Sequence, residues 1–263
     1  MISRTARAPA TLQSFVLHRY DWSESSLILD LFTREQGRLA VAARGVKRPA
    51  SQLRPVLLPF QRLHVTLARG RAHADDAAPP EVQTLRAAEW AGGPAMLTGA
   101  ALFAGFHCNE LLMKLLARHD PHPRLFDAYA QTLPGLAARD DARVQAALRA
   151  FEFVLLKEVG VLPDLSLVTL TQQVVAERDR LTLLPEAGVA PARPGDPGLP
   201  GSVLINLQAA LAHGSMAALC DACSVALPEL KAALRALLHY HLGTPVMRTR
   251  QVMIDLQTLA GPA

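Results

Sequence analysis

Several small groups of residues in this chain have side chains that could do chemistry, and each lacks a partner the chemistry needs. Cys220-Asp-Ala-Cys223 places two thiols one helical turn apart, as in half a zinc site or a redox dithiol. Tetrahedral zinc takes four ligands, and only one other cysteine, Cys108, exists in the chain. A thioredoxin-like dithiol needs a βαβ setting that is missing around it. Small buried residues near a helix start are therefore the better reading of the pair. His107 and Glu110 stand at i, i+3 and could ligate a metal from one helix face, but no second ligand pair accompanies them. A polar patch on a core helix accounts for them more simply. His119, Asp120 and His122 fall among prolines, where a solvated helix–helix turn is expected. The sequence contains no GxGxxG, GxxxxGK[ST], HExxH or GxSxG. With no nucleophile set beside a base, the chain reads as a non-enzyme without a cofactor or metal.

The positive signal is charge. Residues 1–72 carry twelve Lys or Arg against four acids, a balance of +8, whereas the remainder carries 15 against 19, a balance of −4. Such asymmetry points to an N-terminal part that meets a polyanion. The plainer alternative is a genome that favours Arg as its surface cation. Arg44, Lys47, Arg48 and Arg54 cluster in one segment around Gly45 and Pro49, and Arg34 and Arg38 flank the turn before it. Arginines in loops can reach phosphates at several angles and release counterions. Tyr20, Trp22 and Phe60 are candidates for base stacking, with Phe15 assigned to a core. Aromatic residues make up only 5% of the chain, which favours backbone contacts over base reading.

These residues need elements to hold them. Residues 12–18, 26–33, 38–44, 62–68 and 82–87 are short, partly alternating apolar runs and read as strands. Glu35-Gln-Gly37 reads as a hairpin turn. Five short strands within about 80 residues suit a small closed barrel, for which an OB-fold is the economical choice. From residue 94 the period becomes 3.6, with helices expected at 94–118, 123–138 and 142–159. In the third, Val144, Leu148, Phe151 and Leu155 form one stripe. A hairpin is expected at 172–184 and an exposed Pro/Gly-rich loop at 185–201, before helices at 204–213, 216–226 and 228–242. The fold class is α+β: an OB-fold-like nucleic-acid-binding barrel over 1–88, then an α-helical domain over 89–263 with a hairpin and loop insertion at 162–202. The half-apolar composition is ample for a core. No apolar run is long enough for a membrane span, and the N-terminus lacks the apolar stretch of a secretory signal, so a cytoplasmic protein with no membrane contact is expected.

Ordered segments along the chain resemble the RecO family. Phe15-Val-Leu-His-Arg-Tyr, Glu24-Ser-Ser-Leu-Ile-Leu, Leu31-Phe-Thr-Arg-Glu-Gln-Gly-Arg-Leu and Ala43-Arg-Gly-Val-Lys-Arg resemble its N-terminal barrel, and Leu58-Pro-Phe60 the segment before its fourth strand. The run from Leu148 to Leu165 resembles the family's signature helix and its Leu-Pro-Asp-Leu ending. His239-Tyr-His-Leu-Gly-Thr-Pro-Val-Met-Arg-Thr-Arg resembles its C-terminal end. The resemblance implies a DNA repair and recombination mediator, nucleoid-associated, that binds single- and double-stranded DNA and anneals complementary strands. It further implies pairing with RecR, binding to the acidic C-terminal tail of the single-strand-binding protein, and help in loading RecA. The competing reading is a protein–protein adaptor whose basic barrel binds acidic partners rather than DNA. Some members carry two CxxC pairs after Leu-Pro-Asp-Leu that hold zinc. Here that stretch is Ser166-Leu-Val-Thr-Leu-Thr-Gln-Gln, without cysteine, so the resemblance implies no zinc and a hairpin held by apolar packing. For the partner tail, acidic and ending in an aromatic residue, an aliphatic groove flanked by arginines is the complement. Arg143, Arg149, Phe151 and Leu155 on the third helix are the candidate residues.

Overall fold

The computed structural model describes residues 11–68, 81–94, 96–196, 198–243, 247–249, 251, 252 and 255. Arg4, Arg7, Arg69 and Arg71 of the basic N-terminal count, and Thr244, Pro245, Val246 and Arg250 of the C-terminal motif, lie outside the described residues. The chain divides into two compact units. The first comprises residues 1–94 and 116–126, the second 95–115 and 127–263.

In the first unit the strands β1 (Thr11–Asp21), β2 (Leu27–Thr33), β3 (Gly37–Ala43), β4 (Leu63–Leu67) and β5 (Val82–Trp90) close into a barrel of order β1-β2-β3-β5-β4. All neighbours are antiparallel except β3 and β5. This is the barrel that the alternating runs predict. Closure requires β1 to serve two partners. Its first residues, Thr11–Ser14, pair with β4, and Ser14–Asp21 pair with β2 across an irregularity between Val16 and His18. Such a bulge bends a strand and increases its twist, which lets one strand turn a barrel corner. Alternate residues then point inward: Leu29, Leu31, Leu39, Val41, Leu63 and Val65 are fully buried in the core.

The turn from β2 to β3 is set by two residues. Thr33 Oγ1 donates to the Gly37 carbonyl at 2.8 Å and accepts from the Gln36 N–H at 3.1 Å. Gly37 has φ of 69°, and a Cβ there would overlap the backbone carbonyl of Asp120. The 116–126 segment thus lies directly on the turn. Phe126 packs its ring 5.1 Å from Phe15 and 5.4 Å from Phe32, and the His119 N–H donates to the Arg38 carbonyl at 3.0 Å.

The second unit contains α1 (Gly99–Leu115), most of α2 (Pro123–Leu136), α3 (Asp141–Glu158), α4 (Gly201–His213), α5 (Met216–Ser224) and α6 (Leu227–Leu242). Asp140 caps α3 by accepting the Ala142 N–H at 3.0 Å, and Gly160, at φ of 78°, follows its end. α3 packs against α1, α5 and α6, and eleven of its residues, including Val144, Leu148, Phe151 and Leu155, are buried. Among the described residues no helix is long and apolar enough to cross a membrane.

The insertion differs from expectation. In place of a hairpin at 172–184 and a loop at 185–201, a β-bridge joins Leu167 to Val174, and β6 (Arg180–Leu184) forms its hairpin with β7 (Gly188–Pro191). A further strand, β8 (Leu199–Pro200), pairs on the other side of β6. The Pro/Gly density hides the pattern, because Leu181, Leu183, Val189 and Leu199 are buried but spread over strands too short to show a period. Gly188, at φ of 63°, lets the Thr169 side chain reach into the space a Cβ would fill, and Thr169 Oγ1 accepts the Val189 N–H at 2.9 Å.

Gly37→Ala is expected to destabilise the first unit by more than the ~1–2 kcal/mol of left-handed backbone strain alone, because the methyl must also displace Asp120. Urea denaturation followed by circular dichroism measures it, and a loss below 1 kcal/mol, taken as about one left-handed residue, would contradict this account of the turn.

Candidate nucleic-acid interface and partner pocket

Strand register decides which basic residues of the first unit come together. Asp21 pairs with Leu27, and Leu27 with Ala43, so β1 and β3 end level at the same rim of the barrel. The loops that leave there are stitched to each other. The Lys47 N–H donates to the Ser25 carbonyl at 3.0 Å, the Gly45 N–H to Ser26 Oγ at 3.3 Å, and Lys47 Nζ to the Ser23 carbonyl at 2.9 Å. Lys47 also forms an ion pair with Asp21. Gly45, at φ of 70°, makes the bend, and the Arg48 side chain lies over it.

The same rim carries Arg44 and Arg48, both exposed, and, at the end of β1 and in the loop after it, Tyr20 (46% exposed) and Trp22 (54% exposed). Arg54 is exposed farther along the same loop. Lys47 belongs to the cluster, but its charge is already matched by Asp21.

Arg34 and Arg38 do not join this surface. They flank the β2–β3 turn, which lies at the opposite end of strands seven residues long, about 20 Å away at the usual rise. Arg38 is in any case engaged: Nε and Nη2 grip the two Asp30 oxygens at 3.0 and 3.1 Å, and Nη1 donates to the Leu116 carbonyl at 2.9 Å. With its side chain 13% exposed, it braces the barrel rather than presenting charge. Phe60 is buried too and is removed from the stacking candidates. Trp90, by contrast, was not singled out by the pattern. It is 63% exposed at the end of β5, with its ring held by an Nε1–H bond to Gln61 Oε1 at 3.0 Å. Its signal is slight: a large aromatic residue two positions before a Gly92-Gly93 pair.

In the second unit, α1, α3 and α6 enclose a cavity of about 350 Å³. Phe103, Leu148, Leu238 and Met247 contribute apolar walls, and Lys231 and Arg235, both exposed, stand on α6 one turn apart. A charged network borders it. Glu152 Oε1 meets Arg149 Nη2 at 2.9 Å and His107 Nε2 at 3.0 Å, with Arg149 and Glu152 both buried. Arg149 Nε and Glu152 Oε2 make no hydrogen bond among the described residues.

Of the residues proposed for a partner groove, only Arg149 lines this cavity. Phe151 and Leu155 are fully buried, and Arg143 is exposed outside the lining. The reason is the position of α3. Neighbours on three helices cover the C-terminal half of its apolar stripe, and Val144 and Leu148 are the stripe residues that reach the cavity.

A model of the recombination protein O N-terminal region matches residues 9–75, and one of the recombination protein O C-terminal region matches residues 96–250. The chain belongs to the RecO family. Proteins named DNA repair protein RecO from a Polaromonas species and from Polaromonas naphthalenivorans are each 51% identical to it, over 94% of this chain and 96% of theirs. The protein of that name from Variovorax paradoxus is 47% identical over 97% of this chain and 98% of its own.

The run from Leu148 passes through the second half of α3, and the cysteine-free stretch 166–173 leads into the bridge between Leu167 and Val174, with Leu165, Val168, Val175 and Val189 buried around it. Among the described residues no group of three or more His, Cys, Asp and Glu is arranged to hold a metal ion. The polar residues of α1 have separate partners: His107 meets Glu152, Tyr129 Oη donates to Asn109 Oδ1 at 2.5 Å, and Glu110 faces Arg248 and Thr249. Cys223 is buried and Cys220 partly so, and burial pushes both thiols above their usual pKa. His122 Nε2 lies 3.2 Å from Asp120 Oδ2 in the turn.

Breaking a buried pair from one side leaves an uncompensated charge, at about 3–5 kcal/mol. Glu152→Ala should therefore destabilise the fold by roughly that amount, and adding Arg149→Met to it should restore a large part. Urea denaturation of both variants checks this, and a double variant no more stable than the single would contradict it.

Proposed function

We propose that this chain is a DNA repair and recombination mediator that acts by binding rather than by catalysis. Its barrel takes single- and double-stranded DNA and brings complementary strands together. Its helical unit takes the acidic C-terminal tail of single-strand-binding protein, and with RecR it helps RecA load on DNA that this protein covers. Such work belongs in the cytoplasm, at the nucleoid.

The observation that carries the reading is the stitched pair of loops at one barrel rim, which sets Arg44 and Arg48 on the same rim as Tyr20 and Trp22. Two exposed guanidinium groups with exposed rings suit a strand whose phosphates neutralise charge while its bases stack. The hydrogen bonds between the loops hold this arrangement before the ligand arrives, so little ordering entropy is lost on binding. The family membership and the name of the relatives, DNA repair protein RecO, support the same direction.

Replacing Arg44, Arg48 and Arg54 together with Ala should weaken binding to mixed-sequence oligonucleotides alike, because phosphate contacts carry no base information. With about 0.7 per contact, the slope of log affinity against log salt should become shallower by roughly 1.5 to 2. Fluorescence anisotropy across a salt series measures both. Wild-type slope and affinity in the triple variant would move the DNA to another surface. A wild-type chain that binds acidic proteins but no oligonucleotide would favour the adaptor reading.

For the tail, the cavity offers apolar walls for an aromatic residue and Lys231 and Arg235 for carboxylates. Lys231→Glu with Arg235→Glu should weaken an acidic peptide ending in an aromatic residue by tenfold or more, about 1.4 kcal/mol. Both residues are exposed, so the fold should be unaffected. Unchanged affinity would place the tail elsewhere.

A further inference from the structure

Glu110 lies on α1 beside the cavity wall but does not line the cavity, and none of the chemistry above uses it. Its carboxylate is nevertheless fully committed. Oε1 accepts the Arg248 N–H at 2.9 Å, and Oε2 accepts the Thr249 N–H at 2.9 Å and the Thr249 hydroxyl at 2.7 Å. Lys114 Nζ, one turn along α1, balances the charge at 3.1 Å from Oε1 and stands 3.9 Å from Met247 Sδ.

Arg248 and Thr249 begin a helical turn in which the Gln251 N–H donates to the Met247 carbonyl at 3.1 Å. The first N–H groups of a helix have no partner within it, and a carboxylate there satisfies them and matches the helix dipole. Glu110 supplies that cap from a residue 138 positions away in sequence. The segment it fixes is not incidental, since Met247, buried, and Thr249 both line the cavity.

We propose that Glu110 is a positioning residue of the cavity: by capping the Arg248–Thr249 turn from α1 it holds Met247 and Thr249 in place as a wall, and so sets the affinity of the site. The proposal rests on the reading of the cavity as the tail site. One helix then does two things, giving Phe103 to the lining and anchoring the chain that closes it. Burial raises the Glu110 pKa, and the bonds from Thr249, Arg248 and Lys114 outweigh it, bringing the group to about 2. The carboxylate is therefore charged, and the cap in place, throughout the neutral range.

The test measures hydrogen exchange at the Arg248 and Thr249 amides together with anisotropy binding of an acidic peptide ending in Phe. Glu110→Gln should accelerate exchange at those two amides at least tenfold, leave the amides of α3 and α6 as in the wild type, and weaken the peptide by about tenfold. Thr249→Val, which removes one hydroxyl donor, is the milder variant and should weaken it two- to fivefold if Glu110→Gln proves too unstable to study. Met247→Ala should weaken the wild-type chain clearly but add little in the Glu110→Gln background, because there the wall is already displaced. Additive losses, or faster exchange with unchanged peptide affinity, would overturn the proposal, as would unchanged exchange. A wild-type chain that binds no peptide would instead remove the tail reading, and the exchange data would still decide whether Glu110 holds the turn.

Discussion

Closure of the barrel is the constraint from which the arrangement of the first unit follows. Five strands leave no free edge only if β1 reaches both β4 and β2, and it does so by bending between Val16 and His18. Once the register is fixed, the ends of β1 and β3 must share a rim, and the loops after them must meet. Their polar groups then satisfy each other: the Lys47 N–H donates to the Ser25 carbonyl and the Gly45 N–H to the Ser26 hydroxyl. The rim that carries these arginines and rings is thus a product of strand pairing, and its members come from the end of β1 and from two loops that are some twenty residues apart in sequence.

The second unit is organised around a different problem, the burial of charge. α3 is packed on so many sides that Arg149 and Glu152 are buried at the edge of the cavity, yet each is a side chain that is rarely buried alone. They solve this by pairing with each other at i, i+3 and recruiting His107 from α1. A buried pair of this kind seldom stabilises a fold more than apolar residues of equal volume would. Its effect is directional instead, since Glu152 can accept from both partners only when α1 and α3 keep one mutual register. That register also sets the shape of the cavity between them.

Much of this was legible in the sequence. The alternating runs gave five strands in their places because each has a buried and an exposed face, and the stripe on α3 gave the longest core helix. The rim cluster of Arg44, Lys47 and Arg48 was legible as proximity along the chain, and Tyr20 and Trp22 as aromatic residues just before the first turn. What local pattern does not carry is which end of a strand a residue occupies in the closed barrel. Arg34 and Arg38 are near Arg44 in sequence and a strand length away in space. Nor does a helical stripe tell how many neighbours will cover it, so Phe151 and Leu155, read as a partner surface, are core. The cavity itself was out of reach, because it needs Lys231 and Arg235 from α6 opposite Leu148 from α3. The sheet at 180–200 was obscured by prolines that end its strands.

The two cation sets differ in their surroundings, and this bears on how each answers to salt. Arg44 and Arg48 project from loops into water, where attraction falls off within a Debye length of about 8 Å at physiological ionic strength. A polyanion held mainly by such contacts would exchange rapidly and respond to ionic strength. Lys231 and Arg235 stand instead beside apolar walls formed by Leu148, Leu238 and Met247. An anionic ligand seated there would bury hydrocarbon as well as meet charge, and the apolar part is not weakened by screening. Rising ionic strength would therefore loosen the barrel's ligand well before the cavity's. The division of the +8 and −4 balances between the two parts of the sequence has the same sense: the first part carries excess positive charge, whereas the other sets Lys231 and Arg235 beside apolar walls.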